Sequence, residues 1–89
     1  MNSAEGWELV VDGQVDRQLR RVPVKHAEQI LAAIGAMVAS PYAGDVAKMQ
    51  GEDNVWRRRV GAYRIFFEIL PREKLIHVFR VERRTSTTY

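Results

Sequence analysis

No cysteine occurs in the 89 residues, which excludes disulfides and thiolate zinc sites. Histidine is nearly as scarce. His26 and His77 stand far apart with no ligand spacing between them, so neither a structural metal nor any other cofactor is expected. A long apolar run is also missing, since the longest near-apolar stretch, Ile30 to Ala39, is too short to cross a bilayer. Met1 to Gly6 lacks the basic segment and apolar run of a leader, and the expected location is the cytoplasm.

What is present suits a small folded domain. Hydrophobic residues make up 46%, with three Tyr, three Phe and two Trp, which is too apolar for a disordered tail. A chain of this length buries only about 60 to 65% of the surface its unfolded form exposes, so a modest core within one domain, residues 1–89, is expected. The net charge of +3 is unevenly spread. Residues 1–47 hold four Lys/Arg against six Asp/Glu, whereas residues 48–89 hold ten against five. This asymmetry fits a polyanion such as nucleic acid, an acidic protein partner, or simply a solvated basic face.

The local patterns give an α+β order of β-α-α-β-β-β. Trp7 to Val11 is an apolar, β-branched run ending at Asp12-Gly13, which predicts a strand and a turn. Val15, Leu19 and Val22 are spaced as one stripe of a short helix that Pro23 interrupts. Over Lys25 to Ala39, the residues Ala27, Ile30, Leu31, Ile34, Met37 and Val38 predict a longer amphipathic helix, ended by Ser40-Pro41. If that whole stripe is buried, Leu31→Ala should cost roughly 2 to 5 kcal/mol. Tyr42 to Asn54 has no period and reads as a loop.

Three strand-like runs follow, Val55 to Val60, Tyr63 to Leu70 and Lys74 to Glu82, separated by Gly61-Ala62 and Pro71-Arg72-Glu73. Turns this short predict an antiparallel three-strand meander. With the N-terminal strand free to pair at either edge, the expectation is a four-stranded sheet carrying a helical hairpin on one face.

Alternation along these strands points Arg57 and Arg59 to one side and Trp56 and Val60 to the other. In the next strand Tyr63, Ile65, Phe67 and Ile69 share a face, leaving Arg64, Phe66 and Glu68 opposite, so Arg64 can join Arg57 and Arg59 across the sheet. Arg58 falls on the core-facing phase, where an apolar residue is expected. For an arbitrary protein these arginines are more often a solvated or aggregation-blunting strand than a site, and His77 is more often a hydrogen-bonded strand residue than an acid or base.

The string Arg57-x-Arg59-Val60-Gly61-Ala62-Tyr63-Arg64, followed by a hydrophobic strand and Arg83-Arg84 near the end, resembles the core of the RelE/ParE toxin superfamily. Element order and length agree with it along nearly the whole chain. The resemblance implies a four-stranded antiparallel sheet with two helices on one side and a basic concave face on the other. It further implies a toxin of a type II toxin-antitoxin pair. In the RelE branch such toxins cut mRNA in the ribosomal A site without a metal, using Lys, Arg and Tyr. By position, Arg57, Arg59, Arg64, Arg84 and Tyr89 match the functional places of that branch, with Arg83 replacing Arg84 if the register slips by one. Arg64, Arg84 and Tyr89 are thus the expected catalytic set, and Arg57, Arg59 and Arg83 the expected RNA-binding set. Many relatives carry Gly and then His or Lys before the late arginine, but Glu82 and Arg83 stand here, which removes one candidate proton donor. The expected partners are a cognate antitoxin and mRNA on the ribosome. The alternatives are a ParE-like toxin that binds DNA gyrase and cleaves nothing, or an inactive domain that binds an antitoxin or RNA.

Overall fold

The computed structural model describes residues 6–84, and in it a five-stranded sheet carries two helices. The first strand, β1 (Glu8–Val11), runs straight into α1 (Gly13–Leu19) through Asp12. The carboxylate of Asp12 accepts from Gln14 N at 2.9 Å and so satisfies one of the free amides at the helix start. Pro23, extended at φ −53° and ψ 142°, then restarts the chain as α2 (Val24–Ala36). After α2 come β2 (Val46–Lys48), β3 (Val55–Val60), β4 (Tyr63–Leu70) and β5 (Leu75–Arg83).

The strand order is β1-β5-β4-β3-β2. The meander β3-β4-β5 is antiparallel, and Gly61 (φ 56°) and Lys74 (φ 52°) sit in its two turns. Two expectations are corrected. The sheet has five strands, because Val46–Lys48 inside the segment read as a loop pairs antiparallel with β3, Val46 opposite Arg58. Three residues are too few to show a period of two, and only the neighbouring β3 reveals the strand. The sheet is also mixed, because β1 pairs in parallel with β5, from Glu8 opposite Leu75 to Val11 opposite Val78.

Since β1 stops at Val11, the second half of β5 has a strand on its β4 side alone, and α1 serves the other edge with side chains. Gln14 Nε2 donates to the Phe79 carbonyl at 2.5 Å, and Val81 N donates to Gln18 Oε1 at 2.8 Å. One helical turn separates the two glutamines, so both fall on one face of α1.

Both helices cover the same side of the sheet. Val15, Leu19, Ile30, Ala33, Ile34 and Met37 meet Tyr63, Ile65, Phe67, Ile69, Ile76, Val78 and Val81 in one core. The buried stripe of α2 is narrower than expected: Ile30, Ala33, Ile34 and Met37 are buried, whereas Leu31 is 53% exposed. Leu31 sits one residue, about 100° of helix rotation, off the Ile30 line, and Val24, seven residues earlier, lies exposed on the same outer row. The large cost expected for Leu31→Ala therefore does not hold.

Arg58 does occupy the core-facing phase of β3, at the edge where β2 begins. Its guanidinium lies against the Gly44 backbone, where a Cβ would stand 2.8 Å from Arg58 Cζ. Gly44 also adopts φ 92°, so this position has two reasons to be glycine. Beside it, Trp7, Tyr42 and Trp56 meet edge to face, with ring centroids 6.2 and 5.4 Å apart.

Candidate nucleic-acid interface

The side of the sheet without helices is built in cross-strand rows. Arg59 stands opposite Arg64, which stands opposite Glu82. The next row is Arg57, Phe66 and Arg80, and the row beyond it is Val55, Glu68 and His77. Directly opposite side chains on one face are close enough to interact, so the register alone gathers guanidinium groups from β3, β4 and β5.

Like charges facing each other across a strand pair repel, and two acids relieve the Arg59–Arg64 pair. Asp45 Oδ2 lies 3.9 Å from Arg59 Nε on one side, and Glu82 Oε1 accepts from Arg64 Nη2 at 3.0 Å on the other. The second oxygen of Glu82 reaches to 3.7 Å from Arg80 Nε. Between the arginines lies Phe66, only 3% exposed although it points away from the helices. Arg80 covers it, with Cζ 4.2 Å from the ring centroid, and Arg64 flanks it at 6.0 Å. A ring face attracts a cation, so Phe66 is a platform that sets where both guanidinium groups rest.

Two donors of this patch, Arg57 Nη1 and Arg64 Nε, are buried with no acceptor in the protein. A buried N–H left unpaired is costly, so both guanidinium groups gain from any movement that brings an acceptor to them. Among the described residues no group of three or more His, Asp or Glu side chains is arranged to hold a metal ion. His77 illustrates why: Glu68 Oε1 lies 2.9 Å from its Nδ1 and Asp12 Oδ2 lies 3.8 Å from its Nε2, so the carboxylates flank opposite ring edges. The Glu68 contact ties β5 to β4.

A family model for the ParE toxin of type II toxin-antitoxin systems, parDE, matches residues 10–87. The chain belongs to this toxin family. Within the wider RelE/ParE superfamily, solved structures agree with the fold. A chain of the archaeal RelE–RelB complex from Pyrococcus horikoshii superposes with a TM-score of 0.79 at 22% identity, covering 91% of this chain and 98% of that one. The isolated E. coli RelE toxin gives 0.76 at 16% identity, covering 91% and 87%. A chain of the RelB–RelE antitoxin-toxin complex from Methanococcus jannaschii gives 0.71 at 26% identity, covering 83% and 88%. A search of curated protein sequences returns no match.

In this toxin the residues singled out from sequence divide into three groups. Arg57, Arg59 and Arg64 share the open face. Arg84 continues the β5 column past Glu82, its N donating to Ala62 O at 2.6 Å and its Nη1 reaching to 3.4 Å from Gly61 O at the β3–β4 turn. Arg83, expected among the RNA-binding residues, is not brought together with them. It stands opposite Tyr63 and lines a cleft of about 260 Å³ on the helix side with Gln18, Val22, Pro23 and Val81. Tyr89 lies outside the described residues.

Arg80 and Phe66 are the members that sequence reading missed. Simple alternation would put Arg80 with Ile76 and Val78 in the core, but a bulge leaves Phe79 without a β4 partner, since Phe66 pairs with Arg80 and Phe67 with Val78. The extra residue reverses the phase and turns Arg80 and Glu82 outward. The signal was available in the three-residue step from Val78 to Val81, both buried, where two residues would be regular.

Proposed function

We propose that this toxin is a metal-independent endoribonuclease that cuts mRNA on the translating ribosome and that residues 1–89 act as one toxin domain in the cytoplasm. The observation that carries the reading is the convergence of Arg57, Arg64 and Arg80 from three strands around Phe66, with buried guanidinium donors left unpaired.

Attack of a ribose 2′-hydroxyl on the adjacent phosphorus forms one P–O bond and breaks the bond to the 5′ oxygen, and charge builds on the nonbridging oxygens. Fixed guanidinium groups stabilise that charge, and Arg64, central in the patch, is the residue assigned to it. Arg57, Arg59 and Arg84 hold the flanking backbone. Arginine stays protonated, so it does not take the 2′ proton or deliver one to the leaving oxygen. Within the chain Tyr89 is the candidate for proton transfer or for stacking on a base. His77 is a weaker candidate because both ring edges face carboxylates.

An antitoxin partner is part of the reading. Two of the similar solved structures are RelE–RelB complexes, and an acidic segment of a cognate antitoxin would silence the patch by pairing its arginines.

The second reading is a gyrase inhibitor without nuclease activity. It is favoured by the ParE description of the matching family and by Glu82, which already engages Arg64. Mapping mRNA ends in translating extracts, beside a gyrase supercoiling assay, decides between the two. New ends that vanish with Arg64→Ala support the nuclease; intact mRNA with inhibited gyrase supports the alternative.

A further inference from the structure

We propose that Glu82 is a resident anion: in the free toxin its carboxylate occupies the place between Arg64 and Arg80 that a nucleic-acid phosphate takes on binding. The proposal rests on the phosphate-binding part of the reading above and not on cleavage.

The geometry separates the occupant from its cradle. Each oxygen of Glu82 faces a different arginine, Oε1 at 3.0 Å from Arg64 Nη2 and Oε2 at 3.7 Å from Arg80 Nε. A carboxylate and a phosphate offer guanidinium the same feature, a pair of anionic oxygens on one edge. Both arginines are also placed by Phe66, at 6.0 and 4.2 Å from the ring centroid, a contact that remains when the carboxylate leaves. The side chain of Glu82 accepts a hydrogen bond from Arg64, and it shares the arginines' face, in the same row as Arg64 and in the same strand as Arg80. The side chains of Arg64, Glu82 and Arg80 are 34%, 38% and 46% exposed, so the ion pairs are weakened by water and an incoming phosphate meets no steric cover. Arg64 Nε and Arg57 Nη1 stay without an acceptor while Glu82 is in place. Phosphate binding therefore competes with an internal carboxylate, and the toxin's affinity is set below what its arginines alone would give.

The test is the affinity of the full chain for a short, fluorescently labelled single-stranded oligoribonucleotide, 2′-O-methylated so that cleavage plays no part, read by anisotropy at low salt. Glu82→Gln keeps the side-chain size and removes the competing charge, and it should tighten binding by about five-fold or more and steepen the salt dependence by about one unit. Thermal unfolding confirms that each variant is folded. Glu68→Gln removes the same charge two rows away from Glu82 and should change affinity by under about two-fold. In the Glu82→Gln, Arg64→Ala double variant the gain should disappear. Weaker or unchanged binding by Glu82→Gln overturns the proposal, because Glu82 then only orients Arg64. An equal gain from Glu68→Gln overturns it too, since net charge alone would account for the effect. Failure of every variant to bind saturably rejects the phosphate site altogether, whereas tightening without mRNA cuts in extracts rejects only the nuclease reading.

Discussion

On the helix side of the sheet, Ile65, Phe67, Ile69, Ile76 and Val78 are at most 1% exposed, whereas the other side of the same strands carries Arg57, Arg64, Arg80 and Glu82 partly open to water. Neighbours in sequence thus belong to different tasks. Phe67 is core, and Phe66, one residue earlier, is the floor under two guanidinium groups. Strand alternation separates the two demands, so the site needs no polar side chain inside the core, and no buried polar or charged residue is found among the described ones.

The sharpest way to break this comparison is to exchange effects between the faces. Phe67→Ala should destabilise the fold by about 3 to 5 kcal/mol in urea unfolding, while the folded fraction keeps its nucleic-acid affinity. Arg64→Ala should do the reverse. Its mRNA cleavage should fall by about 10² to 10³-fold, as for loss of one preorganised charge-stabilising donor, with stability changed by less than about 0.5 kcal/mol. If Arg64→Ala unfolds the protein, the open face is structural and the division of labour fails.

Two smaller effects probe the edges of the core. Gln18→Ala leaves Val81 N without its acceptor and should cost about 1 kcal/mol, readable as a lowered urea midpoint and as faster amide exchange at Val81. Leu31→Ala should change stability by less than about 0.5 kcal/mol, because the side chain is already half in water. A loss above about 2 kcal/mol there would mean that the outer row of α2 is covered in solution.

Much of this architecture could be read from local pattern. Periodicity predicts the two helices to within a few residues, and β3 and β4 begin and end where alternation and the Gly61-Ala62 turn place them. The shared face of Arg57, Arg59 and Arg64 follows from the same alternation. What escaped depends on pairing. β2 is too short to carry a period, and the parallel partner of β1 is chosen by the core rather than by any residue of β1. The bulge at Phe79 hides Arg80 by reversing the phase of β5, and the link from Glu82 to Arg64 exists only once β4 and β5 are in register. The choice between Arg83 and Arg84 stayed open in the sequence for the complementary reason, because near a strand end a one-residue uncertainty exchanges the faces.

The central claim is that guanidinium groups from three strands form one anion site. Nitrogen-proton NMR of the arginine Nε–H groups, followed while the 2′-O-methylated oligoribonucleotide is added, tests it most directly. Arg57, Arg64 and Arg80 should shift together along one saturation curve while Arg17, Arg20 and Arg21 of the α1 region stay in place. Shifts confined to the α1 arginines, or separate curves for the three strand arginines, would contradict it.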